Sequence, residues 1–302
     1  MSIKRSVDFD DVEESRQKFD RDKESRPHSR SRFHTGGPEI KRSDVRRLAQ
    51  CLCGAGALAR ECREPGCRCG RLSRSVMDAT KRQIEADGYA IVPRCVSGET
   101  IRALETALDA DQHGIRNLLS NQVVRAIAGS DEVRKPVASV LGQECFAVRG
   151  IFFNKNPKAN WKVTWHQDCV IAVREKLDIE GWGPWSSKAG VIHVRPALAV
   201  LQQMLAIRIH LDDCGEENGP LRVIPGSHRG GILSDTEIQN RSKESAVACV
   251  VLRGDVILMR PLVLHSSSPA TRPSNRRVVH LEFAATELPH GATWQDCVHG
   301  KT

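Results

Sequence analysis

The stretch Cys145-Phe-Ala-Val-Arg-Gly-Ile-Phe-Phe153 opens the part of the sequence that decides the fold. This apolar run predicts a β-strand, and short segments of the same kind follow it, separated by Gly, Pro, Asp or Asn turns. The predicted strands are 145–153, 162–167, 190–195, 203–211, 221–224, 247–252, 255–259 and 277–284. Many short strands in succession predict a sandwich or barrel.

Helical patterns precede these strands. Residues 78–88 read as a short helix with Asp78 near its beginning and Gly88 past its end, and 89–93 read as a strand. The spacing from Ser97 to Thr100 is that of a capping box and predicts a second helix, while 113–140 read as an interrupted helix. We therefore predict a mainly β fold with N-terminal helices, for which a jelly roll with a metal in its mouth is suitable.

The first 76 residues differ from the rest in composition. They hold 18 Lys/Arg and 12 Asp/Glu, so most of the net charge of +8 of this 302-residue chain lies there. Their lack of apolar periodicity predicts a disordered basic tail, with 77–302 as the folded domain. Met77 directly precedes the first ordered pattern, and a mis-assigned start with Met77 as the true first residue is the alternative.

Five of the eleven cysteines lie in this tail, at Cys51, Cys53, Cys62, Cys67 and Cys69. Zinc sites usually pair their cysteines as C-x2-C units, and these are spaced C-x-C and C-x4-C-x-C with no histidine among them. A structural zinc site is therefore the weaker interpretation, and a cysteine-bearing tail without metal is the stronger.

The sequence also predicts a location. It has no apolar run of roughly 20 residues and no apolar segment at its beginning, which predicts neither a membrane span nor a secretory signal. Scattered cysteines then indicate reduced thiols in the cytoplasm. The body beyond the tail is close to charge balance and gives no reason to expect nucleic acid.

Two short segments carry the chemistry. Two imidazoles and one carboxylate are the ligand set of non-haem Fe(II) oxygenases, which leaves metal positions open. A His-x-Asp pair occurs twice, as His166-Gln-Asp168 and as His210-Leu-Asp212. Asp212 begins a polar turn, so we favour the first pair; in a strand His166 and Asp168 would point to the same face.

The third ligand has five candidates, His193, His210, His228, His265 and His280. His265 ends a strand-like run beside a polar loop, a suitable place for an open site, whereas His228 is expected to hold a loop in place. Strand alternation puts the neighbours Arg276 and Arg277 on opposite faces, so at most one lines the interior, and the spacing does not choose between them.

Taken together, several motifs resemble the phytanoyl-CoA dioxygenase family of Fe(II)/2-oxoglutarate oxygenases, over about residues 80 to 286. They are DGYAIVP at 87–93, NWKVTWHQD at 160–168, NGPLRVIPGSH at 218–228, and His265 with Ser267 and Arg276. The resemblance implies a double-stranded β-helix of the jelly-roll, cupin-like kind. It implies His166, Asp168 and His265 as iron ligands, and Arg276 with Ser267 as the contacts of the distal 2-oxoglutarate carboxylate.

The resemblance also implies an activity. The expected reaction is hydroxylation of a small organic substrate with O2 and 2-oxoglutarate, with release of succinate and CO2. Halogenating relatives lack a carboxylate at the position of Asp168, so its presence favours hydroxylation. One departure is Ala270 after Pro269, where the family usually has Asn.

Two alternatives remain open. A cupin-like metal enzyme or binding protein would use the same triad without 2-oxoglutarate, and an interaction protein would act through the tail. Two further expectations concern the site: the loop 181–190, with two Trp, suits a lid. Lys155 and Lys162 are suited to an anionic ligand, although lysines more often face solvent.

Overall fold

The structure is a computed structural model, and it describes residues 74–108 and 113–300. Almost all of the predicted tail, with its five cysteines and the zinc question, lies outside the described residues. The division at Met77 stays a prediction. The described part holds six α-helices: α1 (Arg74–Asp87), α2 (Gly98–Ala107), α3 (Gln122–Ala128), α4 (Asp131–Leu141), α5 (Leu198–Gln202) and α6 (Asp235–Arg241).

The strands of the described residues form three antiparallel sheets. They are β1 (Tyr89–Val92), β2 (Gly114–Ile115), β3 (Phe146–Lys155), β4 (Val163–His166), β5 (Ile171–Val173), β6 (Trp185–Lys188), β7 (Val191–Val194), β8 (Met204–His210), β9 (Leu221–Val223), β10 (Val247–Cys249), β11 (Val256–Met259), β12 (His265–Ser267) and β13 (Arg276–Ala284). The six-stranded sheet has the order β1-β11-β8-β13-β3-β2, the four-stranded sheet β10-β9-β12-β4, and the small sheet β5-β7-β6. The prediction of a mainly β fold is confirmed.

The six-stranded sheet separates two apolar layers. On one face, Ile207, Ile209 and Leu281 pack with helical residues such as Ile84 and Leu104 in the largest core cluster. Each side chain of this size contributes about 1.5–3 kcal/mol when it is fully buried. The helices therefore cover one face of the sheet as a structural layer, and the candidate site lies at the other face.

That other face meets the four-stranded sheet. Ala206 and Ile257 of the large sheet share a cluster with Leu221 and Val223 of the smaller one. Because side chains alternate along a strand, Arg208 and His210 lie on the same face as Ala206. By the same alternation β13 and β3 also direct polar side chains into the space between the sheets: Arg276, His280 and Glu282 from β13, and Arg149 and Lys155 from β3.

The structure corrects several local predictions. Residues 113–121 are not α-helical, because β2 and a short 3-10 helix (Leu118–Ser120) precede α3. The strands β5, β6 and β12 and the helices α5 and α6 were not predicted. The predicted cap of α2 is present, since the Ser97 hydroxyl accepts a hydrogen bond from the Thr100 amide at 3.2 Å. Among the described residues no helix is long and apolar enough to cross a bilayer.

Candidate metal centre

The two histidines of the predicted triad are neighbours across a strand pair. His166 ends β4 and His265 begins β12, and the two are direct partners in the antiparallel register. Their ring centroids are 4.1 Å apart. Two segments that are far apart in sequence are thus joined by one β-ladder, which fixes the spacing of the two imidazoles.

Asp168 completes the cluster from a loop rather than from a strand. The predicted strand 162–167 ends at His166, and the Asp168 amide donates to the carbonyl of Pro261 at 2.9 Å. Its two oxygens lie 3.7 Å from His166 Nε2 and 3.6 Å from His265 Nε2. The three ligand atoms lie within 4.8 Å of one another. We expected His166 and Asp168 to share a face because both would lie in one strand. The two side chains do converge, but Asp168 lies outside the strand, so strand alternation is not the reason.

Gln167 anchors the segment between the two ligands. Its amide nitrogen donates to the carbonyls of Leu262 at 2.7 Å and Gly231 at 2.9 Å, and its oxygen accepts from the Leu233 amide at 2.8 Å. The side chain is buried, and these three bonds tie the segment to two other loops. The alternate residues His166 and Asp168 are thereby held on the side that faces His265.

Backbone contacts set the tautomers of both rings. His166 Nδ1 lies 2.8 Å from the Thr164 carbonyl, and His265 Nδ1 lies 2.9 Å from the Val263 carbonyl. A carbonyl only accepts, so each Nδ1 carries the proton and each Nε2 presents a lone pair to the cluster. A second-sphere contact of this kind is usual for metal-binding histidines.

Electrostatics favour the forms that bind a cation. Burial and the neighbouring His166 lower the pKa of His265 to about 3, so this ring is neutral at pH 7. Burial acts to raise the pKa of Asp168, but His265 and His166 outweigh it and lower that pKa well below its usual range. The side chains of Asp168 and His166 are 31 % and 26 % exposed, so the cluster is open on one side.

The other candidate histidines lie elsewhere. Among the described residues, the triad is the one group of three potential ligands that comes together. His210 is buried on β8 with no partner for either ring nitrogen, and Asp212 turns away to Arg277. His280 contacts Arg208 and Glu282. His193 donates to the Val191 carbonyl at 3.0 Å.

His228 has the loop-holding position that the sequence predicts. A side chain added at Gly88 would meet the imidazole at 2.5 Å, so the ring packs against the end of α1.

The two neighbouring arginines have different surroundings. Arg277 binds Asp212 through Nε at 2.9 Å and Nη2 at 2.7 Å, and Glu105 at 2.7 Å. Arg276 is 5 % exposed, lies in the interior and donates to the carbonyl of Gly219 through Nη1. Its Nε has no hydrogen-bond partner. Only Arg276 therefore faces the space between the sheets.

Two further cations lie in the interior. Arg208, which was not selected from the sequence, is buried beside His280, and Lys155, which the sequence suggested for an anionic ligand or for solvent, is 2 % exposed. Lys155 Nζ donates to the hydroxyl of Ser267 at 2.8 Å. Alternation along β3 was the available signal, since Lys155 shares a face with Phe153 and Ile151. Lys162, by contrast, is exposed.

The loop expected to act as a lid is largely a β-hairpin. Its second half is β6, which pairs with β7. Trp182 is buried and Trp185 is half-buried, and both pack in the cluster that also contains Val194. This packing supports a fixed hairpin, and closure over a substrate stays a prediction.

Comparison with known proteins shows which family the chain belongs to. The profile of the phytanoyl-CoA dioxygenase family matches residues 84–278. The chain belongs to the phytanoyl-CoA dioxygenase family. The predicted membership is confirmed, and so is the predicted cofactor pair, because members of this family use Fe(II) and 2-oxoglutarate.

A curated relative is the phytanoyl-CoA dioxygenase domain-containing protein 1 homolog of Dictyostelium discoideum, 33 % identical over 216 residues. The match covers 65 % of this chain and 63 % of the relative, so the chain spans less than two thirds of that protein. A shorter match of 60 residues, at 38 % identity, is to the L-proline trans-4-hydroxylase of Streptomyces griseoviridis; it covers 20 % of this chain and 22 % of that enzyme.

The fold is also similar to that of solved structures. One is HygX from Streptomyces hygroscopicus, solved with nickel and 2-oxoglutarate bound. The TM-score is 0.51 at 15 % identity, and the similarity covers 72 % of this chain and 88 % of that protein. At this identity the similarity concerns the fold alone.

Proposed function

We propose that this protein is an Fe(II)- and 2-oxoglutarate-dependent dioxygenase that hydroxylates a small organic substrate. Residues 77–302 form its catalytic domain, a double-stranded β-helix built from the large and the four-stranded sheets. The observation that carries the proposal is the convergence of His166, Asp168 and His265 beside buried cations. A site for metal alone would not require those cations.

The triad fits iron in the chemistry of its donors. Two neutral imidazoles and one carboxylate are the donor set that would hold Fe(II) and leave positions on the metal open for further ligands. In this chain His265 is the buried ligand, and Asp168 lies at the exposed side of the cluster. His166 and His265 each donate through Nδ1 to a carbonyl, which orients the rings before a metal arrives.

The interior also fits 2-oxoglutarate. Nε of Arg276 and Nε of Arg208 are buried without partners, and buried donors normally have one. Within 74–108 and 113–300, neither arginine forms an ion pair with a carboxylate. A dicarboxylate that chelates the metal at one end would bring its distal carboxylate to these donors. Arg276 is the anchor, because its planar fork pairs with carboxylates in a bidentate way.

When bound, the iron and 2-oxoglutarate supply the oxidising chemistry, in which one oxygen atom of O2 enters the substrate and the other enters succinate with release of CO2. The chain's own residues bind and orient these groups and exclude water from the buried side. Asp168 supports hydroxylation over halogenation, because its carboxylate occupies a position that a halide would need.

Iron binding by the full chain under anaerobic dialysis tests the site. One Fe(II) per chain is expected for the wild type, with loss of binding in His166→Ala, Asp168→Ala and His265→Ala. His210→Ala and His280→Ala serve as matched controls, because both are buried interior histidines outside the triad, and they should retain iron. Retention of iron by Asp168→Ala, or its loss in His280→Ala alone, contradicts the assignment.

Formation of succinate tests the reaction. The iron-loaded protein with O2 should convert 2-oxoglutarate to succinate faster when a substrate is added, and Asp168→Ala should not. An iron-loaded protein that oxidises a substrate without consuming 2-oxoglutarate would instead support the cupin-like alternative. A cytoplasmic location and the absence of a nucleic-acid partner remain predictions from the sequence.

A further inference from the structure

Lys155 has an unusual place for a lysine. It ends β3, is 2 % exposed, and is the direct antiparallel partner of Arg276 in β13. Its Nζ donates to the Ser267 hydroxyl at 2.8 Å and to the Ser268 carbonyl at 3.3 Å, and it lies 5.4 Å from the centre of the Trp161 ring. Ser267 thus links Lys155 to the strand that carries His265.

The surroundings of Lys155 contain more positive than negative charge. Arg276 and Arg208 face the same interior, and among the described residues none of the three cations forms an ion pair with a carboxylate. Like charges placed directly opposite each other in a sheet are destabilising, and a buried unpaired cation costs more still. An anion bound between Lys155 and Arg276 would therefore offset this unfavourable energy.

The protonation of Lys155 responds to this environment. Burial first, then Arg276 and Arg208, lower the pKa of Lys155 to about 6, and the thiol of Cys214 acts weakly in the opposite direction. These are the charged and titratable groups that face Lys155 from β13, from β8 and from the turn after β8. The hydroxyl of Ser267 faces it from β12. The side chain is thus mostly neutral near pH 7, and a bound carboxylate would restore its charge.

We propose that Lys155 is a second binding residue for the distal carboxylate of 2-oxoglutarate, forming with Arg276 a two-cation clamp that the Ser267 hydroxyl bridges. This inference rests on the proposed function, and it adds a residue to it. The clamp selects a dicarboxylate over a 2-oxo acid with one carboxylate, because a ligand without the distal charge leaves Arg276 unpaired and Lys155 without the partner that would restore its charge.

Proton balance follows from the clamp. A neutral Lys155 that pairs with a carboxylate takes up a proton from solvent, so the binding of 2-oxoglutarate is linked to proton uptake. The matching probe is 2-oxopentanoate, which has a methyl group in place of the distal carboxylate and the same metal-chelating end. Any difference between the two ligands reports on the distal carboxylate.

The first experiment measures the dissociation constants of both ligands for the anaerobic Fe(II)-loaded full chain, from the visible metal-to-ligand charge-transfer band. Lys155→Met is expected to weaken 2-oxoglutarate by about 10- to 100-fold, the range for a charge-assisted hydrogen bond, and to change 2-oxopentanoate little. Lys158→Met is the matched control, because Lys158 is exposed three residues further on, and it should bind both ligands as the wild type does.

A folded Lys155→Met protein that binds 2-oxoglutarate as the wild type does overturns the inference, since Lys155 would then only support Ser267. Absence of the band in the wild type overturns the proposed function itself, which separates the two failures. Should Lys155→Met not fold, calorimetry of the wild type in two buffers of different ionisation enthalpy decides. At about pH 7.5 we expect about one proton more to be taken up with 2-oxoglutarate than with 2-oxopentanoate. Equal uptake overturns the clamp.

Discussion

His166 and His265 are direct cross-strand partners in the β4–β12 ladder, and their imidazoles stand 4.1 Å apart between centroids. The pairing means that the sheet, rather than a loop, positions the two histidines of the proposed iron site. It also explains why a separation of 99 residues between the two histidines in sequence does not weaken the site. Asp168, by contrast, lies in a loop, and its position depends on the hydrogen bonds of its neighbour Gln167.

Gln167→Met should lower both stability and iron affinity. The change removes three hydrogen bonds and leaves the Leu262 carbonyl buried without this donor, so we expect the free energy of unfolding to fall by about 2–4 kcal/mol. Loss of such a supporting contact typically weakens metal binding by about 10- to 100-fold. Urea unfolding and Fe(II) titration measure the two effects.

Gln239→Met is the matched control, because Gln239 is exposed on α6. It should change neither quantity. Unaltered iron affinity in Gln167→Met would show that the ladder alone holds Asp168 in place.

Gly219→Ala should destabilise the turn that supports Arg276. Gly219 has φ +61°, and an added Cβ would lie 2.4 Å from the Ser268 carbonyl oxygen. We expect a loss of about 2 kcal/mol or more in the free energy of unfolding, because both the left-handed backbone and the contact are unfavourable. The affinity for 2-oxoglutarate should also fall, since the carbonyl of Gly219 accepts from Arg276.

Gly291→Ala measures the cost of the left-handed backbone separately from the cost of the close contact. Gly291 has φ +76° and no atom within 4 Å of an added Cβ, so it carries the backbone cost alone. Thermal or urea unfolding should show a smaller loss than for Gly219→Ala. Equal losses would mean that the contact with the Ser268 carbonyl is relieved without cost.

Arg276→Met and Arg277→Met should have opposite effects. Arg277 holds Asp212 and Glu105 together, so its loss should lower the free energy of unfolding by about 1–3 kcal/mol and leave 2-oxoglutarate affinity unchanged. Arg276→Met should fold and lose 2-oxoglutarate binding. Anaerobic ligand titration with urea unfolding checks both, and the reverse pattern would assign the anchor to Arg277.

Acid should destabilise the protein in part through His193. This ring is 2 % exposed, and burial, with Arg149 nearby, lowers its pKa to about 4. As pH falls below about 6.5 the unfolded chain binds a proton there and the folded chain does not, so stability is lost as pH falls towards 4. The contribution is about 2 kcal/mol between pH 7 and about pH 5.

His193→Asn removes this titration, because Asn stays neutral and is able to donate to the Val191 carbonyl. Urea unfolding at several pH values should show a shallower decline in acid for the variant. An identical decline for both proteins would mean that His193 does not contribute.

The sequence was sufficient for most strands, because they depend on local patterns. The three residues that the structure brings together, His166, Asp168 and His265, were named with the help of the family resemblance, since local patterns left five candidates for the third ligand. The strands β6 (WSSK) and β12 (HSS) escaped prediction, since polar three- and four-residue segments become strands only through their partners β7 and β9. Helix α6 was missed although Ser234 and Glu237 form a capping box, a signal that is visible in the sequence.

Two questions about the site needed coordinates. The choice between Arg276 and Arg277 depends on which face of β13 each takes, and Asp212 and Glu105 reveal it only in space. The sequence left Lys155 between an anionic ligand and the solvent, where lysines usually lie. The strand β3 continues two residues beyond the predicted end at Phe153, and this extension carries Lys155 into the interior.

The most direct test of the central claim is an anaerobic titration of the full-length apo-protein with Fe(II) and then with 2-oxoglutarate. The account predicts a weak visible charge-transfer band that saturates at one 2-oxoglutarate per iron in the wild type. The band should be lost in His166→Ala and Arg276→Met and retained in Arg277→Met. A folded, iron-loaded wild-type protein that shows no band would contradict the account and would favour a metal protein that does not use 2-oxoglutarate.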